Sequence, residues 1–452
     1  MRTRSRPARF VAAALAPLFA LSLAHAPGLA AQPGSAQSGE VVVIRAGALF
    51  DGTGETLRQN VTLVIRDGRI AEVGEDVQAP AGARVVDLSG WTVLPGLIDM
   101  HTHITSDPSD GFRGGFLSQY PGAAALVGAK NARITLLAGF TAVRNAGAGE
   151  FSDIALRNAV NDGLVPGPRI FTAGKGLGIS GGHCDSGGFR PDAFPETGVE
   201  QGIFNSPDEA RAAVRYQIKY GSDLIKTCAT AGVLSVGTEI GPAQVTPAEF
   251  EAMVETATML NRRVMAHAHG IEGIRNAVHA GVASIDHGAV LDDEILAEMT
   301  RRGTFLVPTM MAFEYVYEAA EAGTLAPWSA IKAREITPIA RESHRRAIRS
   351  GVPIAFGTDA GVFPHGTNAD EFRLLVEAGM SPARALRSAT RDAADLLGQL
   401  DAFGTLEVGK FADLIAVRGN PLEDVGVLMD VGFVMKGGRI YKENGAPTPH
   451  AW

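Results

Sequence analysis

The chain predicts an α/β fold, a (β/α)8 TIM-like barrel inserted in a small β-sandwich domain that is built from both chain ends. Three observations carry this expectation. β-rich runs punctuated by turn residues occupy residues 40–90 and return over residues 398–445. Between them, over residues 91–397, short apolar runs alternate with amphipathic helical stretches, the pattern of parallel βα units. Side chains able to bind metal fall repeatedly at the C-terminal ends of those apolar runs, where such a barrel gathers its chemistry.

The elements follow in order. Arg2, Arg4, Arg6 and Arg9 precede an apolar run from Phe10 to Leu23, and small residues follow at Ala24-His25-Ala26 and Leu29-Ala30-Ala31. Residues 1–31 therefore read as a signal peptide of an exported, periplasmic or secreted protein. The run is too short for a stable membrane span, and no cysteine follows it to carry a lipid. Removing the segment takes four arginines and no acid from the formal charge, which moves from −8 to −12. That acidity, with no basic tract, argues against nucleic acid as a partner. Hydrophobic residues at 46% and charged residues at 20% are ordinary for a globular enzyme.

Val41-Val42-Val43-Ile44, Val61-Thr62-Leu63-Val64-Ile65 and Ile70-Ala71-Glu72-Val73 read as strands separated by Asp51-Gly52 and Asp67-Gly68. From Trp91 the barrel begins. Ser206-Pro207-Asp208-Glu209 and Thr246-Pro247-Ala248-Glu249 are capping boxes with proline at the first helical position. Ser381-Pro382 starts a late helix. The first helix runs to Tyr220 and the strand Asp223 to Thr227 follows it; Arg263 to His269 follows the second. Two further strands are expected near Ser284 to His287 and Pro353 to Asp359. Phe411 to Val417 and Gly432 to Ile440 return to the first domain.

The run Val93-Leu94-Pro95-Gly96-Leu97-Ile98-Asp99-Met100-His101-Thr102-His103 ends in two histidines at i and i+2. On a strand they point the same way and can grip one ion. Lys226, His267, His287 and Asp359 complete a candidate ligand set, each at a later strand end. Imidazole and carboxylate suit zinc and similar divalent ions. Lys226 sits among Leu224, Ile225 and Cys228, so its ammonium would be buried at a cost of several kcal/mol unless neutralised or paired. Carbamate formation with CO2 would turn it into an anionic ligand able to bridge two metals. His269 competes with His267 for one ligand position. Cys184 and Cys228 leave both free thiols and a single disulfide open.

The stretch Leu94 to His103, the lysine strand, His267-Ala268-His269-Gly270, Asp286-His287-Gly288 and Gly357-Thr358-Asp359 resemble the binuclear amidohydrolase superfamily. Within it they look most like the exported prolidase-like dipeptidases and ochratoxinase-like amidohydrolases. Gly404 to Leu414 and Asn420-Pro421-Leu422 are similar to that family's closing segment. The resemblance implies two divalent ions, with zinc expected. His101, His103 and Asp359 would hold the buried ion and His267 and His287 the exposed one, with carboxylated Lys226 and a hydroxide bridging them. The hydroxide would attack the amide carbon while Asp359 takes its proton and passes it to the leaving nitrogen. Family spacing favours His267 as ligand and leaves His269 near the substrate.

The glycine-rich loop Gly176 to Asp185 places His183 either over the scissile bond, as the resemblance suggests, or on a flexible surface. Val233 and Leu234 are expected in a pocket wall, with plain packing the alternative. His279, His344, His365 and His450 are read outside the ligand set. Asn145 stands where relatives often carry an acid after the arginine. The expected substrate is a dipeptide or N-acyl amino acid, including the amide joining phenylalanine to an aromatic acyl group in ochratoxin. An imidazolonepropionase-like hydrolase of cyclic amides, a deaminase and a metal-binding scaffold without turnover are the competing readings. Relatives imply a homo-oligomer, an octamer among the sizes.

Overall fold

The computed structural model describes residues 40–108, 120–185, 187, 190, 192 and 196–452. The expected signal peptide, with His25, lies outside the described residues. The first strands are β1 (Val41–Leu49), β2 (Arg58–Arg66), β3 (Arg69–Gly74) and β4 (Arg84–Pro95). β2 and β3 form a hairpin whose turn needs two left-handed residues, and Asp67 (φ 48°) and Gly68 (φ 75°) supply them. β1 pairs antiparallel with β2 and parallel with β4.

β4 passes directly into the barrel. Gly96 separates it from β5 (Leu97–Thr102), and a Cβ at Gly96 would lie 2.1 Å from Thr141 Oγ1. The next parallel strands are β6 (Phe140–Asn145), β7 (Arg169–Thr172), β8 (Ile225–Cys228), β9 (Val264–Ala268), β10 (Ser284–His287) and β11 (Phe305–Val307). Every residue of β5, β6, β8, β9 and β10 is buried, as expected of strands covered on both faces. The seam between β7 and β8 is bridged where Asp223 N donates to Thr172 O at 2.8 Å.

The ring closes through residues 353–360. Leu306 N donates to Pro353 O (2.9 Å) on one side, and Asp359 N donates to His101 O (2.7 Å) on the other. This eighth segment is less regular than the strand expected there, because Asp359 (φ 63°) and Gly361 (φ 117°) turn the backbone out of the ladder.

The covering helices are α1 (Pro121–Leu137), α2 (Ser152–Asn161), α3 (Pro207–Lys219), α4 (Pro247–Met259), α5 (Ile271–Ala280), α6 (Asp293–Arg302), α7 (Met310–Glu321), α8 (Pro327–Ser350), α9 (Glu371–Glu377), α10 (Pro382–Ser388) and α11 (Arg391–Leu396). Both expected capping serine/threonine residues act: Ser206 Oγ accepts from Glu209 N, and Thr246 with Glu249 forms a reciprocal box. α7 and α8 form a helical pair beyond β11. None of the helices described is long and apolar enough to cross a membrane.

β12 (Leu414–Val417), β13 (Val431–Lys436), β14 (Arg439–Glu443) and β15 (Ala446–Pro447) complete the first sheet, in the order β15-β14-β13-β12-β4-β1-β2-β3. The sheet folds over until Ile70 N, in β3, donates to Lys410 O (2.9 Å), just before β12. Both halves then share one core that includes Ile44, Leu63, Leu88, Leu414 and Phe433. The buried Arg169–Asp413 pair, 3.0 Å apart, ties this sheet to the barrel.

Candidate active site: a metal centre at the barrel mouth

β5 carries His101 and releases His103 just past its end. Their Nε2 atoms converge on the same oxygen, Asp359 Oδ1, at 3.4 Å each. His101 Nδ1 donates to Asp286 Oδ2 at 2.6 Å, and His103 Nδ1 to Gly147 O at 3.3 Å. The outer nitrogens are therefore occupied, and each Nε2 presents a lone pair to a carboxylate oxygen that itself has no hydrogen-bond partner among the described residues. Facing lone pairs repel unless a cation lies between them.

His287, at the end of β10, joins them. One ligand atom each from His101, His287 and Asp359 lies within 4.8 Å of the others. The His287 Nδ1 lies 2.7 Å from Thr309 Oγ1. Three residues here hold left-handed backbone, His287 (φ 73°), Thr309 (φ 50°) and Asp359 (φ 63°), which costs on the order of 1–3 kcal/mol each and is typical of sites where geometry matters more than stability.

His267, on β9, places its ring 4.5 Å from that of His287. Its Nε2 donates to Ala231 O at 3.4 Å, leaving Nδ1 with the lone pair. His269 lies 4.7 Å from His267 and 5.1 Å from His287, ring to ring, and its buried Nδ1 has no hydrogen-bond partner among the described residues. Both expected candidates thus reach the same cluster. Burial, first of all, holds the His101, His267 and His287 rings neutral by pushing their pKa values well below the usual imidazole range; it takes His103 to about 4 and His269 to about 3. Neutral imidazoles are the form that binds metal.

Lys226 on β8 is only 4% exposed. Burial lowers its pKa to about 8 against the pull of Asp286 and Asp359. A neutral amine is the form that reacts with CO2. Asp359 moves the other way, raised to about 7 by burial despite Lys226.

The glycine-rich loop is not a free surface. His183 Nδ1 lies 2.6 Å from Ser235 Oγ, and its ring stacks on His267 at 4.1 Å. A Cβ on Gly232 would stand 2.5 Å from His183 Cε1, so that glycine makes room for the ring. A disulfide joins Cys184 to Cys228, two residues beyond Lys226 on β8. The loop is thereby tied to the lysine strand. Val233 and Leu234 pack with Phe313 and Phe363, and the Phe313 ring lies 5.6 Å from His269. That apolar group walls one side of the cluster.

Several supporting residues escaped the sequence reading. Asp286, fully buried, accepts from His101, from Arg144 Nη2 (2.9 Å) and from Ser284 Oγ (2.6 Å). Its signal was available, since an acid inside an apolar strand needs partners. His344, expected only as part of a basic helix, and His365, on the mouth-facing loop after Asp359, are outside the ligand set, yet His344 Nε2 donates to His287 O (2.7 Å) and His365 Nε2 to His103 O (3.3 Å). They steady the backbone of two candidate ligands. His279 closes α5 and His450 lies near the chain end. Asn145 is structural: its Oδ1 accepts from Ile104 N at 2.7 Å, and its Nδ2 donates to Gly147 O at 3.2 Å.

Barrel, attached sheet and converging histidines match a family of hydrolases acting on amide bonds. The chain belongs to the amidohydrolase family, whose model matches residues 92–441. Ochratoxinase from Aspergillus niger is 34% identical over 437 residues, spanning 91% of this chain and 88% of that protein. A crystal structure of a Xaa-Pro dipeptidase with methionine bound in its active site superposes with a TM-score of 0.85 at 40% identity, covering 89% of this chain and all (100%) of that one. An imidazolonepropionase of Cutibacterium acnes is more distant, 27% identical over 383 residues and covering 79% of this chain and 84% of that protein.

Proposed function

We propose that this chain is an exported, binuclear zinc amidohydrolase that releases an amino acid from dipeptides or N-acyl amino acids. The observation that carries the metal reading is the convergence of two imidazole lone pairs on one carboxylate oxygen that has no hydrogen-bond partner among the described residues. His101, His103 and Asp359 would hold one ion, and His267 and His287 the other. Carboxylated Lys226 would join the two sets, which would account for a lysine buried on β8 at the metal cluster. Bound divalent ions supply a nucleophilic hydroxide at neutral pH and polarise the amide carbonyl.

The remaining work falls to the chain. Asp286, Gly147 and Thr309 orient three of the four imidazoles. Asp359, whose Oδ1 faces the His101 and His103 rings, would take a proton from water and return it to the departing nitrogen. His183, held by Ser235 and stacked on His267, and His269, with its unsatisfied nitrogen, face the substrate's polar groups. Val233, Leu234 and Phe313 exclude water and receive an apolar side chain.

The ochratoxinase and Xaa-Pro dipeptidase likenesses support the substrate class, an acyl group joined by an amide to an amino acid. Cleavage of ochratoxin to its acyl acid and phenylalanine falls within that class. The Cys184–Cys228 disulfide supports export, since such bonds persist in oxidising compartments. Homo-oligomeric assembly belongs to the same proposal, supported by the resemblance.

Metal analysis and chromatographic product analysis of the zinc-loaded protein with Xaa-Pro, Xaa-Arg, Xaa-Phe and N-acyl amino acids test this. Free amino acid is the expected product. Ring-opened acid or ammonia from cyclic substrates would favour an imidazolonepropionase-like enzyme or a deaminase, and bound metal with no turnover a scaffold. Lys226→Ala and Asp359→Asn should each abolish activity; metal-dependent turnover retained in either would overturn the mechanism.

A further inference from the structure

Helix α8 carries six permanent or near-permanent cations. Arg334, Arg341, Arg345, Arg346 and Arg349 each lie within ion-pair distance of an acid. Lys332 is the exception. It is only half-buried, yet no carboxylate of the described residues lies within ion-pair distance of its ammonium, which donates to Ser235 O at 2.9 Å. An ammonium has three donors, so two remain for something else.

Its location gives the exception meaning. Ser235 is also the residue whose Oγ lies 2.6 Å from His183 Nδ1, and the His183 ring stacks on His267 at 4.1 Å. Lys332, Ser235, His183 and His267 therefore form a continuous chain from the helical pair to the metal cluster. The Lys332 charge is felt at both His183 and His269, whose protonation it disfavours. Burial also lowers its own pKa. A cation left partly desolvated at the rim of a site, on a helix whose other cations are all paired, is suited to an anionic ligand.

We propose that Lys332 binds the free α-carboxylate of the leaving amino acid. The inference rests on the reading of the substrate as a dipeptide or N-acyl amino acid. It adds a rule of selection: the enzyme prefers substrates that end at the amino acid it releases, over the same compounds with a blocked carboxylate. Lys332 would then set the order of the substrate in the site, with the carboxylate at the α8 rim and the acyl group beyond the metals.

The test compares Lys332→Met and Lys332→Arg with the unaltered zinc-loaded enzyme on N-acyl phenylalanine and on its carboxamide. In Lys332→Met, kcat/KM for the free acid should fall about 10- to 100-fold, mainly through KM, while the carboxamide stays within about twofold. Lys332→Arg should keep most of the preference for the acid. Equal losses on acid and carboxamide would show that Lys332 only steadies the Ser235 loop, and no loss on either would remove its role; both overturn the proposal. Binding supplies a second measurement independent of turnover. Calorimetry should show phenylalanine binding the zinc-loaded protein about tenfold or more tighter than phenylalaninamide, a preference lost in Lys332→Met. If the unaltered enzyme cuts no acyl amino acid but this preference stands, the substrate reading fails and the carboxylate site survives. If the preference is missing, the carboxylate site fails whatever the activity.

Discussion

Asp286 is the most informative residue to perturb, because one buried carboxylate serves two masters. It accepts from His101 Nδ1 at 2.6 Å, fixing the ring so that Nε2 faces the metal position, and it neutralises buried Arg144 at 2.9 Å. Asp286→Asn keeps the shape, removes the charge and sets an amide donor against donors. Loss of such an orienting partner costs about 10- to 100-fold in metal affinity, or about 1.4–2.8 kcal/mol. Leaving Arg144 buried and unpaired costs about 3 kcal/mol or more of folding stability. Two assays separate the effects: chelator competition for the metal dissociation constant, and denaturant unfolding of the metal-free protein. The double variant Arg144→Met/Asp286→Leu should recover part of the stability, since it removes both charges, yet keep the weakened metal binding. Metal affinity within about twofold of the unaltered protein in Asp286→Asn would refute the claim that Asp286 orients His101.

Three further outcomes are expected. Cys184→Ser opens a bridge with a sequence separation of 44 residues; it should cost up to about 4 kcal/mol in denaturant unfolding and leave the unaltered protein, once reduced, similarly weakened. Gly232→Ala sets a Cβ 2.5 Å from the His183 ring, so kcat/KM should drop at least about tenfold while metal content by elemental analysis is unchanged. Lys436, buried with its ammonium on the Gly167 carbonyl, has its pKa pushed from 10.5 to about 7 by burial. Between those values the unfolded chain holds the proton and the folded chain does not. Stability relative to Lys436→Met should therefore rise with pH across that window, by at most about 1.4 kcal/mol per pH unit, and below about 7 it should stay flat at its lowest, where both states hold the proton. Parallel stability–pH curves for the two proteins would contradict it.

Much of the site was legible because its chemistry is expensive. His101 and His103 on an otherwise apolar strand, and Lys226 among apolar neighbours, stand out for their burial cost alone. The capping boxes at Ser206 and Thr246 are local and were equally plain. What stayed hidden depends on three-dimensional approach. The Asp286 to His101 contact joins positions 185 residues apart, and the Cys184–Cys228 bridge depends on the glycine-rich loop meeting the end of β8. His344 looked like one more polar residue in a basic helix, and only the packing of α8 against the strand end carrying His287 shows where its nitrogen goes. Lys332 was invisible for a related reason: a surface lysine becomes unusual only once every arginine around it is seen to have a partner.

The passage of β4 into β5 through Gly96 has a consequence for how the protein can be cut or fused. The strand that feeds the first two candidate ligands is gripped on one side by β1 and on the other by β12, which comes from more than three hundred residues later in the chain. The last segment of the polypeptide is thus a splint on the strand that leads into the candidate ligands. Neither the barrel nor the sheet is a detachable module, and a truncation before Leu414 should be read out first as lost metal retention, far from where the chain was cut.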